Sequence, residues 1–219
     1  GYVGLHQAAM LAKVGFKVVG IDQKSKIVEA ISKGCISINQ PELNDLVKQV
    51  TEKKLLKATL NGSAAARQAD IIIICVPTPI KEDKMPNLSC IEDSCKTIAH
   101  NLSKGKLIIV ESTLPPKTTK TFIAAILEKD SGLKCGLDFW LACCPERITP
   151  GKMLKEFAYN DRIIGGYNAE SAEVAAEFFK TFAKGNILIT DANTAEVAKL
   201  AENTFRDVNI AFANQLALI

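Results

Sequence analysis

The chain has 219 residues, and 47% of them are apolar, which is enough for one large core or for one domain and part of another. Its 27 basic and 24 acidic residues give a net charge of +3 without a basic block, a balance that argues against nucleic-acid binding. The longest apolar runs, such as residues 71–76, are too short to cross a bilayer, and no signal-peptide pattern opens the chain. We therefore expect a soluble cytoplasmic protein without membrane association.

The seven cysteines form no CxxC pair and have no histidine partners at zinc-site spacing. We expect reduced thiols in a cytosolic core and no metal site. Cys143 and Cys144 are adjacent in a strand-like run, where neighbouring side chains point to opposite faces of a sheet. Burial is therefore the favoured interpretation of this pair.

Predicted strands and helices alternate along the chain. Short β-branched runs predict strands near residues 17–22, 71–76, 107–112, 139–144, 161–165 and 186–190. Amphipathic segments predict helices near residues 4–14, 24–33, 42–54, 63–68, 89–103, 118–130 and 169–183, with a long helix from residue 194 onward. This alternation is typical of an α/β fold, Rossmann-like and doubly wound, in which helices cover both faces of a mostly parallel sheet. The last segment is interpreted as the start of a long connecting helix.

The first residues resemble a dinucleotide-binding fingerprint that lacks its first strand and first glycine. Gly1, Tyr2, Val3 and Gly4 precede an apolar helix, and Asp22 stands 18 residues after Gly4, at the tip of the next strand. The glycines would admit a pyrophosphate to the helix N-terminus. Asp22 would accept from the ribose hydroxyls and so favour NAD over NADP. A pair of glycines that only pack a helix is an equally open interpretation.

The last helix has two distinct faces. Lys199, Asn203 and Arg206 share one face, where an ammonium, an amide and a guanidinium can converge on an oxygen-rich ligand. A solvated surface is the alternative. An apolar stripe lies opposite, formed by Val197, Ala201, Phe205, Val208, Phe212, Leu216 and Ile219.

Six motifs, in order, carry a resemblance to a known family: Gly1-Tyr2-Val3-Gly4-Leu5, Val76-Pro77-Thr78-Pro79, Glu111-Ser112-Thr113, Cys144-Pro145-Glu146-Arg147, Asn160 to Gly166, and Ala195 to Asn203. Together they resemble the UDP-glucose/GDP-mannose dehydrogenase family of nucleotide-sugar 6-dehydrogenases. The segments 145–151 and 202–214 are most similar to its UDP-N-acetylmannosamine branch. The UDP-N-acetylglucosamine branch shares much of both segments and ranks second.

The resemblance implies oxidation of a UDP-sugar C6 alcohol to a carboxylate with two NAD, through a cysteine-bound thiohemiacetal and thioester. Lys199 and Asn203 match the family's oxyanion-stabilising pair, and Thr113 matches a threonine that orients the catalytic water. Glu146 matches the glutamate of thioester hydrolysis, either as general base or as its electrostatic partner. The implied binding residues, in addition to those already named, are Val76, Pro77, Thr78 and Thr113 for NAD, and Glu146, Arg147, Lys199, Asn203 and Arg206 for the substrate.

The resemblance also implies a domain plan. Residues 1–192 are expected to form an NAD-binding Rossmann-like domain with its first strand missing, and residues 193–219 to begin a central connecting helix through which the protein forms a homodimer. The substrate-binding C-terminal domain is expected to be absent, together with the family's nucleophilic cysteine and aspartate, which belong to a segment after position 219. The fragment alone is expected to be inactive.

Some positions depart from the family pattern, and other functions stay open. Pro150 stands where some sugar dehydrogenases carry a second glutamate, Lys117 replaces a frequent glycine, and His6 replaces a frequent proline and is interpreted as structural.

UDP-glucose remains an alternative substrate. A β-hydroxyacid dehydrogenase would use a similar cofactor domain with one NAD and no cysteine. A non-enzymatic NAD-sensing module is the third possibility.

Overall fold

The structure is a computed structural model that describes residues 1–36, 40–147 and 153–219. Its strands are β1 Val18–Ile21, β2 Leu56–Thr59, β3 Ile71–Ile74, β4 Leu107–Val110, β5 Trp140–Cys143, β6 Arg162–Gly166 and β7 Ile187–Asp191. Its helices are α1 Tyr2–Lys13, α2 Ser25–Ser32, α3 Pro41–Glu52, α4 Gly62–Gln68, α5 Ser89–Ala99, α6 Ala124–Ser131, α7 Met153–Tyr159, α8 Ala169–Lys180 and α9 Ala192–Leu216. A π-helical segment, Thr119–Ile123, leads directly into α6.

The described strands form two sheets, a parallel pair β1-β2 and a five-stranded sheet in the order β3-β4-β5-β6-β7. Within the larger sheet only the β5–β6 pairing is antiparallel. The expected α/β class with mostly parallel strands is therefore confirmed. The described strands fall into two sheets because β1 and β3 are not paired with each other.

Two apolar cores lie on opposite faces of the large sheet. Alternation along β4 sends Leu107 and Ile109 into the core under α1, α3 and α8, and Ile108 and Val110 into the core under α5 and α6. All four residues are buried, as expected for a central strand covered on both faces. The predicted helices on both faces are thus confirmed.

Cys143 and Cys144 follow the same alternation at the end of β5. Cys143 packs in the core with α5 and α6, and Cys144 packs in the core with α8. Both side chains are buried, which confirms the burial expected from their adjacent positions. Burial raises the pKa of the Cys143 thiol well above its ordinary value and that of Cys144 to about 12.

Helix α9 begins against the sheet and then leaves it. Asp191 caps its first turn, since the side chain accepts from the amides of Asn193 at 3.0 Å and Thr194 at 3.2 Å. A Cβ on Gly165 of β6 would lie 2.5 Å from the Asp191 carbonyl oxygen, so glycine permits the close crossing of the helix. Beyond Ala201 the helix is mostly exposed to solvent.

The face of α9 that meets the domain is the polar one. Ala192, Ala195 and Glu196 are buried, and Lys199 follows them on the same side. The apolar stripe points away from the domain, with Phe205 74% and Phe212 63% exposed. In the described part of the chain, no helix has both the length and the hydrophobicity that a bilayer crossing requires.

Candidate functional site

An open cleft of about 200 Å³ lies at the carboxyl ends of β3, β4 and β5, beside the start of α1. Carboxyl ends of parallel strands are where ligands bind in open α/β sheets. The cleft is lined by Val3, Cys75, Val76, Pro77, Thr78, Glu111, Ser112, Thr113 and Glu146. Six of the predicted site residues are therefore brought together from four separate parts of the sequence, namely Val3, Val76, Pro77, Thr78, Thr113 and Glu146.

The first turn of α1 supplies the glycine-rich side of this region. Gly1 is the N-cap of the helix, and a Cβ built on it would meet no atom within 4 Å. A Cβ on Gly4 would lie 3.6 Å from the Cβ of Cys75, so this glycine sits where the helix packs against the end of β3. The helix N-terminus, with its unpaired amide donors, fits a phosphate group.

Asp22 lies directly after β1 and close to the same helix N-terminus. Its carboxylate accepts from the Lys24 amide at 3.0 Å. Burial alone would raise the pKa of Asp22, but this hydrogen bond and the charge of Lys24 help to hold it below its ordinary value. An ionised carboxylate beside the glycine turn is the group that accepts hydrogen bonds from a ribose.

Tyr2 does not line the cleft. Its hydroxyl accepts from the Gln40 side chain at 2.6 Å, and its backbone carbonyl is 2.8 Å from Nδ1 of His6. The other ring nitrogen of His6 is 2.5 Å from Oε1 of Gln40. His6 is 2% exposed and lies in this network, so the structure places it in the support of α1.

The loops that follow β3 and β4 are joined by two hydrogen bonds. The Thr78 hydroxyl donates to the Thr113 carbonyl at 2.8 Å, and the Ser112 hydroxyl donates to the Val76 carbonyl at 2.7 Å. Both bonds fix the edge of the cleft at the positions predicted for cofactor binding. A rigid edge lowers the ordering cost of any ligand bound there.

Glu146 follows β5 and meets Lys199 from α9. The Lys199 ammonium donates to the backbone carbonyl of Glu146. Burial raises the pKa of the Glu146 carboxyl to about 7, the charge of Lys199 opposes the rise, and Glu111 adds to it. Burial also lowers the pKa of Lys199 below its ordinary value, with Glu146 opposing the fall. A carboxyl group with a pKa near neutrality can act as a general base or acid.

The remaining predicted substrate residues lie farther from the cleft. Arg147 forms an ion pair with Glu202 of α9, in which Nε is 3.1 Å from Oε2. Asn203 is half-buried and Arg206 is exposed, and neither lines the cleft. Asn203 stands one helical turn beyond Lys199, about 6 Å along the axis. The structure therefore brings Lys199 to Glu146 but leaves Asn203 and Arg206 beyond that junction.

Sequence reasoning missed three polar residues at the floor of the cleft. The Gln7 amide donates to Oε1 of Glu111 at 2.5 Å, and the Cys75 thiol lies 3.5 Å from Oε2. Glu111 is only 4% exposed, and burial raises its pKa, with Gln7 opposing the rise. Two features of the sequence could have indicated this cluster, namely a glutamine inside the apolar stretch of α1 and a glutamate at the end of a buried strand.

Among the described residues, no group of three or more histidine, cysteine, aspartate or glutamate side chains is placed to hold a metal ion. The functional groups among the lining side chains are carboxyls, hydroxyls and a thiol, and the Lys199 ammonium lies beside the cleft on the Glu146 carbonyl. Such a set suits a bound organic cofactor and a substrate whose oxygens change charge.

Known proteins resemble the chain over its whole length. A UDP-N-acetyl-D-mannosamine dehydrogenase from Pyrococcus horikoshii is 44% identical to this chain over 219 residues. The solved structure of a Pyrococcus horikoshii enzyme of this kind matches with a TM-score of 0.95, and the match covers 100% of this chain and 51% of the solved chain. A Methanococcus maripaludis protein of the same name is 47% identical, with 100% of this chain and 49% of the relative covered. A GDP-mannose dehydrogenase from Pseudomonas aeruginosa is 27% identical, with a TM-score of 0.92 over 98% of this chain and 50% of that chain.

Family models divide the chain in the same order as the fold. Residues 1–183 match the NAD binding domain of the UDP-glucose/GDP-mannose dehydrogenase family, and residues 193–219 match the central domain of that family. The chain spans about half the length of the curated relatives named above. NAD is accordingly the cofactor of the domain that residues 1–183 represent. The chain belongs to the UDP-glucose/GDP-mannose dehydrogenase family.

Proposed function

We propose that the full-length protein is an NAD-dependent UDP-sugar 6-dehydrogenase that oxidises UDP-N-acetylmannosamine to its uronate in two hydride transfers. Relatives with 44–47% identity are named UDP-N-acetyl-D-mannosamine dehydrogenases, which supports this substrate. The single structural observation that carries the proposal is the junction of Lys199 and Glu146 beside the cleft. It brings the ammonium of Lys199 to the backbone carbonyl of Glu146, whose own carboxyl group has its pKa raised by burial to about 7.

The residues of the cleft fit NAD. Gly1 and the first amides of α1 would receive the pyrophosphate, Gly4 would keep the helix close to the sheet, and Asp22 would accept from the ribose. Val3, Val76, Pro77, Thr78 and Thr113 would bound the rest of the cofactor in the cleft. When bound there, NAD supplies the hydride acceptor for both oxidations. Tyr2 would contribute its backbone, since its hydroxyl already contacts Gln40.

Lys199 and Asn203 are proposed to hold the C6 oxygen of the sugar. An ammonium and an amide aimed at one oxygen stabilise the negative charge that develops as the hydroxyl loses its proton and C6 loses a hydride. Arg147 and Arg206 would attract the charged part of the nucleotide sugar. Their proposed role rests on the family resemblance and, for Arg147, on its place near Lys199.

Glu146 and Thr113 are proposed to serve the final hydrolysis. Both line the cleft, and Thr113 would orient a water molecule from which Glu146 takes a proton. The water oxygen would then attack the thioester carbonyl and release the carboxylate and the thiol. The nucleophilic cysteine itself belongs, by resemblance, to a segment beyond residue 219. Cys143 and Cys144 are buried and poorly ionised and are not proposed for that role.

We also propose a domain organisation, an oligomeric state and a cellular location. Residues 1–192 would form the NAD-binding domain, and residues 193–219 would begin the connecting helix. The exposed apolar stripe of α9, which includes Phe205 and Phe212, supports a homodimer through this helix. Free cysteines among the described residues fit a reducing cytoplasm. The uronate product would enter polysaccharide biosynthesis.

A substrate panel tests the proposed function. The full-length protein would be incubated with NAD and, separately, UDP-N-acetylmannosamine, UDP-N-acetylglucosamine, UDP-N-acetylgalactosamine and UDP-glucose, while NADH is followed by absorbance. The highest kcat/KM is expected for UDP-N-acetylmannosamine. The galactosamine arm is included because a Ralstonia solanacearum relative named NDP-N-acetyl-D-galactosaminuronic acid dehydrogenase is 40% identical. No NADH with any of these sugars would exclude a UDP-sugar dehydrogenase.

A further inference from the structure

Glu111, Gln7 and Cys75 form a buried polar cluster under the cleft, which we name the floor cluster. The three residues come from α1, from the end of β3 and from the end of β4, so the fold has to bring them together. Gln7 donates to one oxygen of the Glu111 carboxyl group at 2.5 Å, and Cys75 lies 3.5 Å from the other. The cluster does not belong to the glycine turn, to the Thr78–Thr113 edge or to the α9 junction.

The hydrogen bonds of the floor cluster suit an ionised Glu111. A carboxylate only accepts hydrogen bonds, and here an amide donor and a thiol donor face its two oxygens. Arg162 of β6 adds an opposite charge in the same region. Cys144 also faces this carboxyl group, and burial keeps its thiol neutral. These donors and the charge of Arg162 favour the ionised form of Glu111, against the burial that raises its pKa.

Glu146 lies next to Glu111 at the cleft. Its backbone amide donates to the Glu111 backbone carbonyl at 3.3 Å, and both residues line the cleft. Among the described residues, the charged groups that act on the Glu146 carboxyl group include Lys199 from α9, Arg162 from β6, Glu156 from α7 and Glu111 itself. Cations and other carboxyl groups therefore both influence the proton on Glu146.

We propose that Glu111 is a positioning residue for Glu146, because its backbone holds the Glu146 backbone at the cleft and its buried carboxylate keeps a second negative charge beside the Glu146 carboxyl group. This inference rests on the proposed function. A neighbouring negative charge makes a carboxyl group keep its proton to higher pH. Glu111 thus helps Glu146 to hold and release a proton near neutrality, as a general base in thioester hydrolysis requires.

The test is the pH dependence of kcat for the full-length Glu111→Gln variant with UDP-N-acetylmannosamine and NAD. Glutamine keeps the size of the side chain but removes the charge. The acid limb of the profile should move to lower pH by about 0.5–1 unit, while the plateau above it remains. A purely structural role would lower kcat at every pH without moving the limb. Glu170→Gln is the matched control. Glu170 contacts Trp140 at the start of β5, whereas Glu146 follows the other end of that strand.

A second variant keeps the test decisive if Glu111→Gln is unstable. The double variant Gln7→Glu/Glu111→Gln swaps the two side chains and so keeps one amide and one carboxyl group in the floor cluster. Its acid limb should lie between those of the wild type and the single variant. An unmoved limb in every folded variant would overturn the proposal. Failure of the proposed function is distinguishable, because the wild-type protein would then make no NADH from any UDP-sugar.

Discussion

Replacing Lys199 with methionine removes the ammonium that meets Glu146 and keeps most of the side-chain volume. The ammonium has three donors, and the backbone carbonyl of Glu146 uses one of them. The remaining donors are available to the substrate oxygen that develops negative charge. Because Lys199 is half-buried, this interaction is less screened than it would be in bulk water.

The expected loss follows from that geometry. Removing one preorganised donor to a developing oxyanion costs about 2.7–4 kcal/mol, which lowers kcat by roughly 10²–10³. Lys199→Met should also shift the pH dependence of kcat, in the direction opposite to the shift expected for Glu111→Gln. The charge of Lys199 lowers the pKa of Glu146, so its removal raises that pKa above about 7 and moves the acid limb of kcat to higher pH.

The assay is steady-state NADH formation by the full-length variant across a pH series, with NAD affinity measured separately by calorimetry. NAD affinity should stay close to that of the wild type. Asn203→Ala should lower kcat on a similar scale, whereas Lys180→Met should not, because Lys180 pairs with Glu177 on the exposed side of α8. Normal turnover by Lys199→Met and Asn203→Ala would show that this face of α9 is only a solvated surface.

Three further predictions concern the cofactor, the thiols and the fold. Asp22→Ala should weaken NAD binding and reduce the preference for NAD over NADP. Equal affinity of the wild type for both cofactors would contradict the role of Asp22 at the ribose. Cys143→Ser and Cys144→Ser should each keep turnover within about tenfold, since losing a nucleophile costs far more; abolished activity in a folded variant would refute this. Gly165→Ala should lower the free energy of unfolding by about 1–3 kcal/mol because its Cβ would lie 2.5 Å from the Asp191 carbonyl oxygen and 2.7 Å from the Cα of Ala192. Gly20→Ala is the control, as its Cβ lies at an ordinary 3.7 Å from Lys57, and equal melting temperatures would contradict the steric argument.

Local sequence patterns predicted most of the sheet because its strands are continuous apolar runs. β3 is four isoleucines and β4 is Leu-Ile-Ile-Val, which leave little ambiguity. β2 was missed because Lys57 and Ala58 are weak strand formers, and its pairing with β1 is what makes it a strand. α7 was also missed, and the π-helical turn at Thr119–Ile123 was predicted as ordinary helix.

The candidate site was only partly predictable because its contacts join distant parts of the chain. Motifs at strand ends placed Thr78 and Thr113 at one edge, as the structure has them. Lys199 and Glu146 are 53 positions apart, and Gln7 and Glu111 are 104 apart, so no local pattern relates either pair. Helical periodicity found the polar face of α9, but only the tertiary structure shows that this face, not the apolar stripe, meets the domain.

The ratio of NADH formed to UDP-sugar consumed distinguishes a two-step oxidation of the sugar from a single oxidation. The full-length protein would be given a limiting amount of UDP-N-acetylmannosamine with excess NAD, and NADH and the uronate would be measured at completion. Two NADH are expected for each sugar, because an alcohol is oxidised to a carboxylate. One NADH for each sugar would indicate a single oxidation of the β-hydroxyacid dehydrogenase kind, and NAD binding without any NADH would indicate a sensing module. Either result would contradict the proposed function.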